Sequence, residues 1–125
     1  FPVHISHLHP LTQDKLKATN FGYANLNVKR HQQRMKDQEK LMQMPVEERL
    51  PIIMLRTPEG LELLEGWHRM YNHLLSGAPP EDVEAIINGT INPYQIDYRR
   101  WRPIQINAFV GMPRKFIGSG IRASA

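Results

Sequence analysis

Apolar and polar positions change rhythm several times along the chain, and each change marks an element. Val3-His4-Ile5-Ser6-His7-Leu8 alternates apolar and polar residues, which predicts a half-buried strand ended by Pro10. On such a strand His7 and His9 share one face and His4 points the other way. Asp14–Asn20 can form a short helical turn, and Phe21–Asn27, with Gly22 and flanking asparagines, reads as a loop. From Val28 to Met44 the composition strongly favours helix, and Pro45 stops it. Its apolar positions (Val28, Met35, Leu41, Met42, Met44) are sparse, so much of this helix should face solvent.

Pro51-Ile52-Ile53-Met54-Leu55 is an unbroken apolar run of strand length. Thr57-Pro58-Glu59-Gly60 supplies turn chemistry, and Leu61–Leu64 returns as a second strand. Gly66 permits a tight strand-to-helix corner. A helix over 67–76 follows, with Met70, Leu74 and Tyr71, Leu75 on adjoining faces, and Gly77 ends it. Pro79–Asp82 opens a short helix closed by Asn88-Gly89. Ile104–Val110 alternates cleanly and predicts one late strand. Gly111–Ala125 has no period and reads as a mobile arm or partner-binding segment. The division this implies is one α/β (α+β) domain over 1–111 and a basic tail over 112–125.

With 125 residues the chain can bury a hydrophobic core as one domain. Having no cysteine, it excludes disulfides, thiolate metal sites and a cysteine nucleophile. That fits a reducing compartment, so the cytoplasm is the expectation (the host cytoplasm if the chain is viral). No apolar run approaches a membrane span, and no signal-peptide pattern is present at the start. Beginning at Phe1, the chain reads as a domain cut from a longer protein. The net charge of +4 hides a segregation. Residues 1–40 carry seven Lys/Arg against three acids, 41–97 three against nine, and 98–125 six against none. If the ends converge they form one positive surface suited to polyanions; otherwise they are solvated faces and a basic tail.

The chemistry concentrates at Glu65-Gly66-Trp67-His68-Arg69. A helix beginning at Trp67 leaves its first amides without intrahelical partners and carries partial positive charge there. Gly66 lets the backbone approach an anion, while His68 and Arg69 add donors, Arg with a fork that matches two phosphate oxygens. The alternative is a plain strand–helix junction whose His and Arg face solvent.

The block PIIMLRTPEGLELLEGWHRMYNHLLSG resembles the central block of the ParB/sulfiredoxin superfamily: an apolar strand after a proline, a hairpin, Gly-x-His-Arg, and a helix ending near Gly. VHISHLHP, Val28–Met44 and RPIQINAFVG are similar, more weakly, to the family's first strand, preceding helix and following strand. The resemblance implies a ParB/sulfiredoxin-like small mixed sheet flanked by helices. It also implies that Gly66, Trp67, His68 and Arg69 contact the phosphates of ATP or CTP. Trp67 stands where sulfiredoxins place their catalytic Cys, which excludes sulfinic acid reduction. The larger arginine-rich motif and helix-turn-helix domain of partition proteins are not seen. What remains is the branch resembling free serine kinases and phage or plasmid ParB-like proteins.

On that reading Glu65, the carboxylate nearest the phosphates, can bind Mg²⁺, orient His68, or act as base toward an acceptor hydroxyl, with Glu39 and Glu48 as second choices. Arg34 and Lys36, beside Arg30 on the helix that by resemblance faces the nucleotide, would neutralise terminal phosphates. The expected function is nucleotide-phosphate binding, extending to an ATP-dependent phosphotransferase acting on a hydroxyl of a metabolite or modified DNA base. The alternative is a non-catalytic or nuclease-type ParB-like DNA-binding module. Its partners would be nucleotide and DNA, with a second copy of the chain as a further candidate and no membrane. Tyr98-Arg99-Arg100-Trp101-Arg102 interleaves aromatics with arginines. Together with Arg114, Lys115 and Arg122 it suits stacking on bases and phosphate contact. The same run also suits an inward Trp101 with snorkelling arginines. His4, His7 and His9 lack a third ligand at a suitable step and favour polar edge positions over a metal site.

Overall fold

The hairpin at the centre of the sequence is also the centre of the fold. In the computed structural model, which describes residues 1–24 and 26–112, β2 (Ile52–Thr57) and β3 (Gly60–Glu65) pair antiparallel through the Pro58-Glu59 turn. The late segment supplies β5 (Ala108–Gly111), which runs parallel to β2 and completes a sheet of order β3-β2-β5. A second sheet of two strands pairs β1 (Pro2–Val3) antiparallel with β4 (Ile104–Gln105). Helices α1 (Pro10–Ala18), α2 (Val28–Met42), α3 (Trp67–Ser76) and α4 (Pro80–Asn88) complete a mixed α+β fold.

Helix α3 is the hub. Its residues Met70–Leu75 are all buried, so the helix is enclosed nearly all round in the way of a core element rather than a surface one. It shares one hydrophobic core with Val3, Ile5, Leu8, Leu16, Phe21, Ile52, Met54, Ile86 and Ile106. Among the described residues no helix is long and apolar enough to cross a membrane.

Two predicted strands are corrected. Val3, Ile5 and Leu8 are buried as their apolar character requires, yet only Pro2–Val3 is strand and Ile5–His7 is a 3₁₀ turn. The polar positions cause this: His4 Nδ1 accepts from Ser6 N, and His7 Nδ1 accepts from His4 N, a reciprocal cap that curls the backbone. Ile104–Val110 is two strands in two sheets. The break lies at Ile106-Asn107, where Ile106 N bonds Phe1 O, Asn107 O accepts from Ile52 N, and the Asn107 side chain donates to Arg49 O. The turn predicted over Asp14–Asn20 is a fuller helix starting at Pro10, capped by His9. The tail with Arg114, Lys115 and Arg122 lies outside the described residues beyond Met112.

Candidate anion-binding corner

One irregularity in the hairpin sets the corner. Ile53 pairs with Glu65 but Met54 with Leu63, leaving Leu64 as an extra residue in β3. Such a bulge shifts the following side chain to the other face. Leu61 and Leu63 point into the core, while Leu64 and Glu65 are both exposed.

Gly66 then turns the chain with φ +99°, in the left-handed region. A Cβ there would stand 2.6 Å from Ile52 Cγ2 and 3.2 Å from Arg69 Nη2, so both conformation and space require glycine. Having no side chain, Gly66 offers no cap to the helix. Met70 N is the first helix amide to reach a carbonyl, that of Gly66 at 2.9 Å, and the amides of Trp67, His68 and Arg69 precede it. Four features therefore sit together: uncapped amides, an exposed His68, a half-buried Arg69 folded back over Gly66, and the exposed Glu65 one residue before the turn.

Tyr71, buried one turn later, organises the rings above this corner. It meets His68 edge-on at 5.7 Å and Trp67 at 6.4 Å between ring centroids. Lys15 of α1 lies over the half-buried Trp67 ring, its Nζ 4.3 Å from the centroid. His68 and Arg69 thus stand at the helix start with an aromatic pair behind them and Lys15 over the Trp67 ring, chemistry able to hold an oxyanion. Tyr71 follows Trp67 by four and His68 by three, a helical spacing that marks it from sequence. Lys15 reaches the site only through tertiary packing and carries no such mark.

Arg34 and Lys36 do not share a face. Lys36 is exposed and borders, with Gln32, Met35 and Glu39, an open depression of about 650 Å³ along α2. Arg34 is 7% exposed, its guanidinium 4.4 Å from the Tyr23 ring and 5.4 Å from that of Tyr71. Its Nη2 donates to Phe21 O and Asn72 Oδ1. Gly22 allows this approach, because a Cβ there would overlap Arg34 Nη1 and the Tyr71 ring. Burial lowers the Arg34 pKa and raises that of Tyr23. Arg34 thus braces Tyr71 from behind instead of facing solvent with Lys36.

The Tyr98–Arg102 run is largely committed to structure. Trp101 is 3% exposed, stacks near Phe21 and Tyr98, and donates from Nε1 to Asp82 Oδ2 at 2.9 Å. It presents no free face for a base. Arg100 Nη2 bonds both oxygens of the same buried Asp82, and Arg99 pairs with Asp97, whose hydrogen bonds hold that carboxyl below its ordinary range. Arg102 keeps an exposed side chain with no ion pair among the described residues.

The histidines are corrected too. His4 and His7 lie together, rings 6.0 Å apart, and His4 Nε2 bonds Tyr98 O, while His9 caps α1. Among the described residues no group of three or more His, Asp or Glu could hold a metal. Glu39 and Glu48 are exposed. His73 of α3 and Arg49, unremarked in the sequence, form a buried pair, His73 Nδ1 lying 3.4 Å from Arg49 Nη1. Burial, then the charges of Arg49 and Arg69, lower the His73 pKa to about 4. Set against family models, curated proteins and solved structures, the chain matches none of them.

Proposed function

We propose that this protein binds a nucleotide, ATP or CTP, through its phosphates at the Gly66 corner. The observation that carries the reading is the left-handed Gly66, which leaves the first amides of α3 uncapped beside His68 and Arg69. A phosphate oxygen there receives backbone N–H groups, the helix's partial positive charge and the Arg69 guanidinium together. Lys15, over the neighbouring Trp67 ring, adds a second cation beside this end of α3. The resemblance of residues 51–77 to the ParB/sulfiredoxin superfamily supports the same ligand.

Binding has more support than turnover. Phosphoryl transfer to a hydroxyl needs a base and charge neutralisation at the leaving phosphates. Glu65, exposed next to Gly66, is the carboxylate placed for the base role. With one carboxylate at hand, Mg²⁺ would be held by Glu65 together with the phosphates and water, as is usual for this ion.

Calorimetric titration with ATP, CTP and their Mg²⁺ complexes tests the reading. Wild-type protein should bind, and His68→Ala and Arg69→Ala should each lose binding. No binding by the wild type removes the reading. Binding without phosphate release or transfer leaves a nucleotide-binding module and removes the phosphotransferase.

A further inference from the structure

At the opposite end of α3 lies a second basic site. A depression of about 250 Å³ is bordered by Arg49, Ser76, Gly77, Arg102 and Gln105, with Met42 and Val46 along one wall. Arg49 is 9% exposed, so a full positive charge lies nine-tenths buried. Its Nε donates to Met44 O at 3.0 Å and its Nη1 meets His73 Nδ1, while Nη2 has no partner among the described residues. Because a guanidinium is always a donor, Nδ1 accepts and the His73 proton sits on Nε2. The partner of Arg49 is therefore a neutral ring. Neither Arg49 nor Arg102 makes an ion pair among the described residues.

A helix C-terminus ordinarily attracts cations to its free carbonyls, which would explain two arginines there. Here most of those carbonyls already accept a hydrogen bond. Leu74 O accepts from Gly77 N, Leu75 O from Ala78 N, Gly77 O from Arg102 N, and His73 O from the Ser76 hydroxyl. The sequence protects this arrangement at Gly77. Its backbone has φ −94°, so handedness does not require glycine, but a Cβ would stand 2.5 Å from Arg102 O and 2.7 Å from Ile104 Cγ2. Gly77 lets the segment carrying Arg102 close over the helix end, and Arg102 and Arg49 border the same depression.

We propose that this depression is a phosphate-binding site, in which the Arg49 and Arg102 guanidinium groups receive the terminal phosphoryl group of a small molecule. A buried charge without a counter-charge is costly, and an oxyanion supplies what Arg49 lacks. Arginine suits it because its planar donors match phosphate oxygens. The volume lies below the roughly 300–1,000 Å³ of sites that enclose drug-sized ligands, which fits a phosphoryl group and little more. The site is separate from the Gly66 corner and does not depend on it.

Inorganic phosphate is the probe, titrated at constant ionic strength with acetate as the competing oxyanion. Chemical shifts of the arginine Nε–H groups are followed by NMR. Phosphate should move the Arg49 and Arg102 signals together, acetate should do so more weakly, and Arg102→Gln should weaken phosphate binding about tenfold, the loss of one charge-assisted bond. Arg102 is exposed, so this variant keeps its fold; Arg49→Lys, retaining charge without the fork, should weaken binding as well. The double variant His68→Ala/Arg69→Ala should leave these shifts unchanged. The proposal is overturned if phosphate leaves both signals unmoved, if Arg102→Gln binds like the wild type, or if acetate binds and phosphate does not.

Discussion

At the residue scale, the glycines and the buried aspartate carry consequences that differ in kind. Gly66→Ala imposes a left-handed conformation on an L side chain and drives a methyl into Ile52. The two costs, about 1–2 kcal/mol for the backbone and about 1–3 kcal/mol for overpacking, act together. Gly89 has φ +69° but open space around its Cβ position, so Gly89→Ala should show the backbone cost alone. Urea denaturation of both variants should rank Gly66→Ala well below Gly89→Ala; equal losses would mean that Ile52 yields and the corner is looser than described. Asp82 illustrates a residue read only after folding. Sequence places it in the acidic first turn of a short helix, whereas it accepts the indole N–H of Trp101 in the core. Asp82→Ala leaves that N–H buried without an acceptor, at a cost of about 1–3 kcal/mol. The same variant leaves Arg100 with Glu81 as its carboxylate partner, and a melting curve read by near-ultraviolet dichroism, sensitive to Trp101, should report an earlier transition. No change would remove Asp82 as the anchor of the 98–101 segment.

At the element scale, the hairpin and the helix after it were legible because every local cue agreed. Apolar runs of strand length, a Pro-Glu-Gly turn, a glycine corner and a 3.6-residue pattern all point to β2, β3 and α3. The misread elements are those where side-chain caps overrode an apolar rhythm. His4 and His7 curl a segment whose alternation reads as strand, and Asn107 divides Ile104–Val110 between two sheets. Helix α2 was legible as a helix but not in what it buries, since its one buried residue is the arginine expected to face a nucleotide. A helix held by so little apolar burial should open locally before the core does. Amide hydrogen exchange should therefore be faster across Val28–Met42 than across Met70–Leu75. Asn27→Ala, which removes the side-chain acceptor for Arg30 N, should cost about 1 kcal/mol and speed exchange in the first turn of α2. Uniform protection of α2 and α3 would show that the two open as one unit.

At the scale of the whole molecule, α3 joins two basic sites through one buried, neutral imidazole. Its N-terminus carries His68 and Arg69, its C-terminus meets Arg49 and Arg102, and His73 lies between them. Burial in the core, and then the charges of Arg49 and Arg69, explain why the His73 proton is held so weakly. The sign of the pH dependence follows. The folded-state pKa of about 4 lies below the ordinary 6.5, so the unfolded chain binds this proton first. The stabilisation is complete above pH 6.5, declines as the pH falls toward 4, and does not change further below that. Across the full window it amounts to about 3 kcal/mol, with a limiting slope of about 1.4 kcal/mol per pH unit. Carboxylates begin to contribute below about pH 5, so the decisive interval is pH 6.5 to 5. Denaturant titrations at half-unit steps there should show stability falling as acid is added. His73→Gln cannot take up the proton and should flatten that dependence while lowering stability at pH 7. An unchanged slope in His73→Gln would assign the proton uptake to the exposed histidines and remove His73 as the pH-sensitive group of the core.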